Sequence, residues 1–146
     1  MVQTARPSSD VVDGAWIKGS GGNTDMYAEI DEVTASDTDY IESEAGPSAS
    51  ACAVGLSSVN DPVSSIGHIL RYRYQNSASG GLNINLLIQL RQGYVSEASL
   101  GTLIAETTIL SIPTSFTSGS ITLSAAEADA ITNYGSLFLR LVATQV

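Results

Sequence analysis

Basic residues, histidine and cysteine are nearly absent from this chain, and each scarcity closes off a chemistry. Five arginines and one lysine stand against fifteen carboxylates, a net charge of −9. A field of that sign repels phosphate backbones, so nucleic acid is not an expected partner. The one cysteine, Cys52, has no partner for an intrachain disulfide, and its flanks Ser50-Ala51 and Ala53-Val54 read as a strand. It is expected to be a small buried hydrophobe rather than a reactive thiol. With His68 as the only histidine, a transition-metal site of His and Cys ligands cannot be assembled within one chain. No GxSxG elbow is present, and Gly14-Ala15-Trp16-Ile17-Lys18-Gly19-Ser20 lacks both the spacing and the strand-loop-helix context of a phosphate loop. Nothing selects a glycosidase pair from the fifteen carboxylates, so neither an enzyme nor a cofactor is expected. The first ten residues contain no apolar run. No later stretch has the length of a bilayer span, so neither secretion by a signal peptide nor a membrane is expected.

What the chain does contain is alternation. From Gly67 to Gly93, Leu70, Tyr72 and Tyr74 fall on one side of an extended segment and Ile69, Arg71, Arg73 and Gln75 on the other. In the next segment Leu82, Ile84, Leu86, Ile88 and Leu90 point one way, and Asn83, Asn85, Gln89 and Arg91 the other, with Leu87 the single exception. Between them Ser77-Ala78-Ser79-Gly80-Gly81 reads as a turn, so the two segments are expected to pair as a hairpin. One apolar face per arm demands a second layer over it.

The remaining chain adds further strands. Ala15-Trp16-Ile17 reads as a short strand with Trp16 as a core lid, and Ala51-Cys52-Ala53-Val54-Gly55-Leu56 as a strand of small residues. In Leu100 to Ile112, Leu103, Ala105, Thr107, Ile109 and Ser111 share a register, and Phe116 to Leu123 is a weaker strand interrupted by Gly119. In the last strand Leu137, Leu139 and Leu141 are expected inward, and Phe138, Arg140 and Val142 outward. Asp25 is positioned to cap a helical turn over Met26 to Ile30. Ser124-Ala125-Ala126-Glu127 is a capping box, predicting a helix from Ala125 to Asn133 that stops at Gly135. The expected fold is all-β: an antiparallel β-sandwich of jelly-roll type with one or two short helices, residues 1–14 forming an extended arm and 15–146 one domain.

Charge is unevenly placed. Ten of the fifteen acids lie between Asp10 and Glu44. Asp37, Asp39 and Glu42 are close enough to share a hard cation, but Val33 and Ala35 occupy ligand positions of the calcium-loop pattern and Ser36 replaces its glycine. A solvated acidic loop is expected. His68 is expected as a satisfied histidine at the sheet margin. Arg71, Arg73, Arg91 and Arg140 all take the outward register of strands. If those strands adjoin they form a basic face, which with Arg6 would bind an acidic partner; the alternative is cross-strand pairing with local carboxylates.

Several segments together resemble a small domain found among structural proteins of tailed bacteriophages. They are Arg6-Pro7-Ser8-Ser9-Asp10 with Gly14 and Trp16, Asp25-x-Tyr27-Ala28-x-Ile30-Asp31-Glu32, and Asp37-x-Asp39-Tyr40-Ile41. Gly67-His68-x-x-Arg71-Tyr72-Arg73 and Ala128-Asp129-Ala130-Ile131-Thr132-x-Tyr134 to Leu139-Arg140 complete the set. The chain is similar to phage jelly-roll decoration proteins, and more distantly to carbohydrate-binding jelly rolls. That resemblance implies a capsid-decorating or cementing protein on the virion surface, assembled in the host cytoplasm. It also implies binding of the major capsid protein lattice as a homo-oligomer, with a trimer favoured. The resemblance carries over no active-site residues. A neck or tail structural protein, or a glycan-binding module in which some of the six tyrosines stack on sugars, are the alternatives.

Overall fold

The computed structural model describes residues 2–77 and 82–146. Nine strands occur among them: β1 (Pro7–Val12), β2 (Ile17–Lys18), β3 (Ile41–Glu42), β4 (Ser50–Leu56), β5 (Ile69–Tyr74), β6 (Ile84–Gln92), β7 (Thr102–Ile109), β8 (Thr117–Thr122) and β9 (Leu137–Gln145). One turn of 3-10 helix spans Met26–Glu29, and α1 spans Ala125–Asp129. All strand pairs are antiparallel. The large sheet runs β1-β4-β9-β6-β7, and two small sheets, β5-β8 and β2-β3, complete the set. The molecule is an all-β sandwich.

The two segments expected to form a hairpin do not pair. β5 pairs with β8, whereas β6 lies between β9 and β7 in the large sheet. Residues 78–81, in the expected turn, lie outside the described residues. Alternation dictates which face of a strand is apolar and leaves its neighbour open. β6 finds nine partners along β9. β5 finds in β8 the small residues that let an aromatic lie flat: Tyr72 opposes Gly119, where a Cβ would sit 2.3 Å from the Tyr72 ring. The arms meet across the core, as the two apolar faces require.

The inner face of the large sheet is read off its register. Cys52, Leu141 and Ile88 form one row, Val54, Leu139 and Leu90 the next. Over them lie Leu70, Tyr72 and Tyr74 of β5, with Trp16, Met26 and Ile112 at one end and Leu123, Ile131 and Leu137 at the other. Trp16 is a lid, as expected, its indole N–H donating to the Ser50 carbonyl at 3.3 Å. Leu82, expected inward, is exposed, because β6 begins only at Ile84.

Four local expectations are corrected. Residues 7–12, placed in an extended arm, form the edge strand β1 against β4. Asp25 makes no side-chain cap; the Asp10 carboxylate of β1 accepts from the amides of Met26 (2.9 Å) and Tyr27 (2.8 Å) instead. In β7, Leu90 opposes Ala105 but Arg91 opposes Leu103, so Ile104 is the extra residue of a β-bulge. Ile104 and Ala105 are therefore both buried, and Leu103 turns outward. Finally, α1 has its capping box but ends at Asp129 rather than Asn133. The buried Gln92 side chain accepts from the amides of Thr132 and Asn133 and donates to the Ala130 carbonyl and Thr132 hydroxyl, taking over the polar groups that another helical turn would have used.

Phe138 and Val142 keep their outward register yet are buried. Phe138 packs edge-on against Tyr94 of the β6–β7 connection, with ring centroids 5.5 Å apart.

Candidate functional site

The arginines do not share a face. β5 belongs to one layer and β6 and β9 to the other, so their outward registers point away from each other. On the small sheet, Arg73 is paired in a fork with Asp37, Nε to Oδ1 at 2.5 Å and Nη2 to Oδ2 at 2.7 Å. It also donates to Ser118 (3.1 Å) and stacks over the Phe116 ring at 5.4 Å. Arg73 thereby straps the acidic loop to β5 and β8, and its guanidinium holds the Asp37 carboxyl below the ordinary carboxylate range. Arg71 is exposed beside Ser120 on the same face.

On the large sheet the arginines serve the fold. Arg91 donates to the Leu100 carbonyl (3.0 Å), the Gly101 carbonyl (3.3 Å) and Gln89 Oε1 (3.3 Å), while Gln89 donates to Glu106 (2.7 Å). Arg140 reaches Glu97 at 3.6 Å, and its Nε is shielded without a partner. Arg6 donates through Nη1 to the Glu32 carbonyl, and its backbone exchanges hydrogen bonds with Ser57. Four of the five arginines, Arg6, Arg73, Arg91 and Arg140, thus have side-chain partners within the molecule.

Among the described residues no group of three or more His, Cys, Asp and Glu is placed to hold a metal ion. Both Asp37 carboxylate oxygens are engaged by Arg73. No helix among the described residues is long and apolar enough to cross a membrane.

A different constellation forms at the end of the sandwich where β4 leaves the large sheet and β5 enters the small one. A cleft of about 260 Å³ lies between residues 61–65 and the stretch from Ala128 to Tyr134. Asp61, Val63, Ser64 and Ser65 line it from the first segment, and Ala128, Asp129, Ile131 and Tyr134 from the second. Behind it the half-buried His68 meets the Tyr134 hydroxyl through Nε2 at 2.7 Å, and His68 Nδ1 is shielded with no partner. Burial, with the nearby charges of Asp61 and Asp129, raises the Tyr134 pKa. Asp61 is oriented by accepting from the Val63 amide at 2.7 Å. The sequence reading placed His68 at a sheet margin but missed its partner. Asn60-Asp61-Pro62 is turn chemistry and Tyr134 precedes the expected helix stop at Gly135; only the packing of two remote segments brings them together.

No protein-family model, curated protein or solved structure matches the chain.

Proposed function

We propose that the protein is a structural component of a tailed-phage virion that decorates the capsid by binding the major capsid protein lattice, as a homotrimer. Several features support this reading. The residue pattern resembles small phage structural domains. Strands next in sequence cross between layers, β4 to β5 to β6 and β7 to β8 to β9, leaving the order β4-β9-β6-β7 over β5-β8; that order fits a jelly roll with a shortened second sheet. The observation that carries the reading is the placement of large exposed apolar side chains. Val63 (91%), Ile66 (78%) and Val95 (75%) stand on connections at one end of the sandwich, and Leu110 (70%) and Val146 (63%) lie at the other, where β7 and β9 finish. Exposed apolar groups at both ends suit many modest contacts repeated over a lattice, where avidity compensates for weak single sites.

The test mixes purified protein with undecorated capsids. Co-sedimentation that Val63→Asp with Val95→Asp weakens, and a trimeric mass by sedimentation velocity, are the expected results; no co-sedimentation overturns the reading. The glycan alternative based on stacked tyrosines finds less support, because Tyr72 and Tyr74 pack against the core.

A further inference from the structure

Among the longer strands, four have an open edge: β1 and β7 at the margins of the large sheet, β5 and β8 in their two-stranded one. An open edge offers unpaired N–H and C=O groups to any other strand, and proteins blunt it with proline, bulges or charge. Three of the four are blunted. β1 starts at Pro7 and has two irregularities in its register, β7 carries the Ile104 bulge and the exposed Glu106, and β5 carries Arg71 and Arg73. β8 has no proline, no charge and no break in its register. Its free side is fixed by the Leu123 amide, which donates to the His68 carbonyl at 3.0 Å. Hydrogen-bonding direction alternates along a strand, so Gly119 and Ile121 address β5, while Ser118, Ser120 and Thr122 direct their N–H and C=O groups the other way. All three are exposed, and among the described residues no strand pairs with that side.

Charge decides what can occupy this edge. From Thr107 to Ala126 no side chain is charged, the longest such run in a chain of net charge −9. In a two-fold contact a patch meets its own copy, so any net charge within it repels itself. The β8 edge and its flanks escape that penalty. Arg71, opposite Ser120 on β5, would lie three strand spacings from its own copy, about 14 Å, which exceeds a Debye length of about 8 Å. The register agrees. With Ser120 on the two-fold axis, Ser120 pairs with itself and Ser118 with Thr122, each pair exchanging both backbone hydrogen bonds, and hydroxyl stands beside hydroxyl on the outer face. On the inner face Ile121 falls opposite Gly119, so the large side chain meets none. We propose that β8 binds β8 of a second copy, antiparallel about a two-fold axis at Ser120, joining the small sheets of two molecules into one four-stranded sheet. A single pair of six-residue strands buries less than the roughly 1,200 Å² of a stable interface, so the contact is weak between free molecules and suited to copies held side by side. It does not rest on the capsid reading and is distinct from the three-fold contacts of a trimer; on a particle it would link copies of adjacent trimers.

The experiment follows amide hydrogen exchange in the full chain, without capsids, at about 10 μM and about 2 mM protein, which bracket a dissociation constant of about 0.1 mM. At the higher concentration the amides of Ser118, Ser120 and Thr122 are expected to exchange about five-fold more slowly, because exchange then proceeds only from the unpaired fraction. Those of Gly119 and Ile121, already bonded to β5, are expected not to change. Ser120→Lys sets two like charges face to face across the axis and should abolish the slowing. Ser120→Cys should give a disulfide-linked dimer under mild oxidation, since a hydrogen-bonded pair holds its Cα atoms about 5.5 Å apart. Ser118→Cys, whose counterpart is Thr122, should link at least ten-fold more slowly, and the native Cys52 is buried and does not compete. Exchange independent of concentration at all three amides of the wild type overturns the proposal. So does a Ser118→Cys dimer that forms as fast as the Ser120→Cys dimer, and both readouts stand even where Ser120→Lys fails to fold. The variant with Val63→Asp and Val95→Asp is expected to keep the slowing, which separates this contact from the capsid surface.

Discussion

Asp10 is the residue on which the first third of the chain turns. Sitting in an edge strand, it satisfies the first two amides of the 3-10 turn, Met26 and Tyr27, and so anchors the turn whose Met26 is fully buried. Asp10→Ala strands two part-buried donors and is expected to cost about 1–3 kcal/mol, measured as a lower urea midpoint with unchanged slope. Asp37 makes a complementary statement about pH. Arg73 lowers its pKa in the folded state, so the pair's contribution is fully present above the unfolded carboxylate's pKa and is lost as pH falls through the depressed folded value. Stability of the wild type should fall through that acid range more steeply than that of Asp37→Asn, in which the titrating group is gone; parallel acid limbs would show that the strap contributes nothing. Cys52 is buried beneath the sheet, and that burial pushes its thiol pKa well up. Thiol reagents should therefore modify it only at the rate of global unfolding.

At the scale of elements, side chains rather than propensity decide where segments stop. The capping box starts α1 where the sequence indicates, but Gln92, far away in sequence on β6, ends it. Gln92→Leu leaves the Thr132 and Asn133 amides unpaired in a part-buried place. It should destabilise by about 1–3 kcal/mol per orphaned group and speed hydrogen exchange at those two amides before others in β9. The β5–β8 pair depends in the same way on Gly119. Its Cβ would meet Tyr72 Cε2 at 2.3 Å, so Gly119→Ala must push the ring off the core. The expected cost is about 1–3 kcal/mol, the range for overpacking, with loss of the Tyr72–Tyr74 ring contact visible in near-ultraviolet dichroism.

For the whole molecule, the sequence by itself determined which residues of β5, β6 and β9 face the core. Leu70, Tyr72 and Tyr74, then Ile84 to Leu90, and then Leu137 to Leu141 obey the period of two, because side-chain direction in a strand is a local property of the backbone. It also determined the capping box, since that motif is closed within four residues. Only the tertiary structure decided that β5 and β6 belong to opposite layers, that Ile104 is a bulge, and that Asp10 caps the 3-10 turn in place of Asp25. The arginines were parted for the same reason: strand pairing joins residues that are remote in sequence, and alternation is silent about which strand lies alongside. The cleft at Tyr134 belongs to that second category. Its polar groups come from the loop between β4 and β5, which includes His68, and from the end of α1 with the segment after it, and they come together only where those two meet.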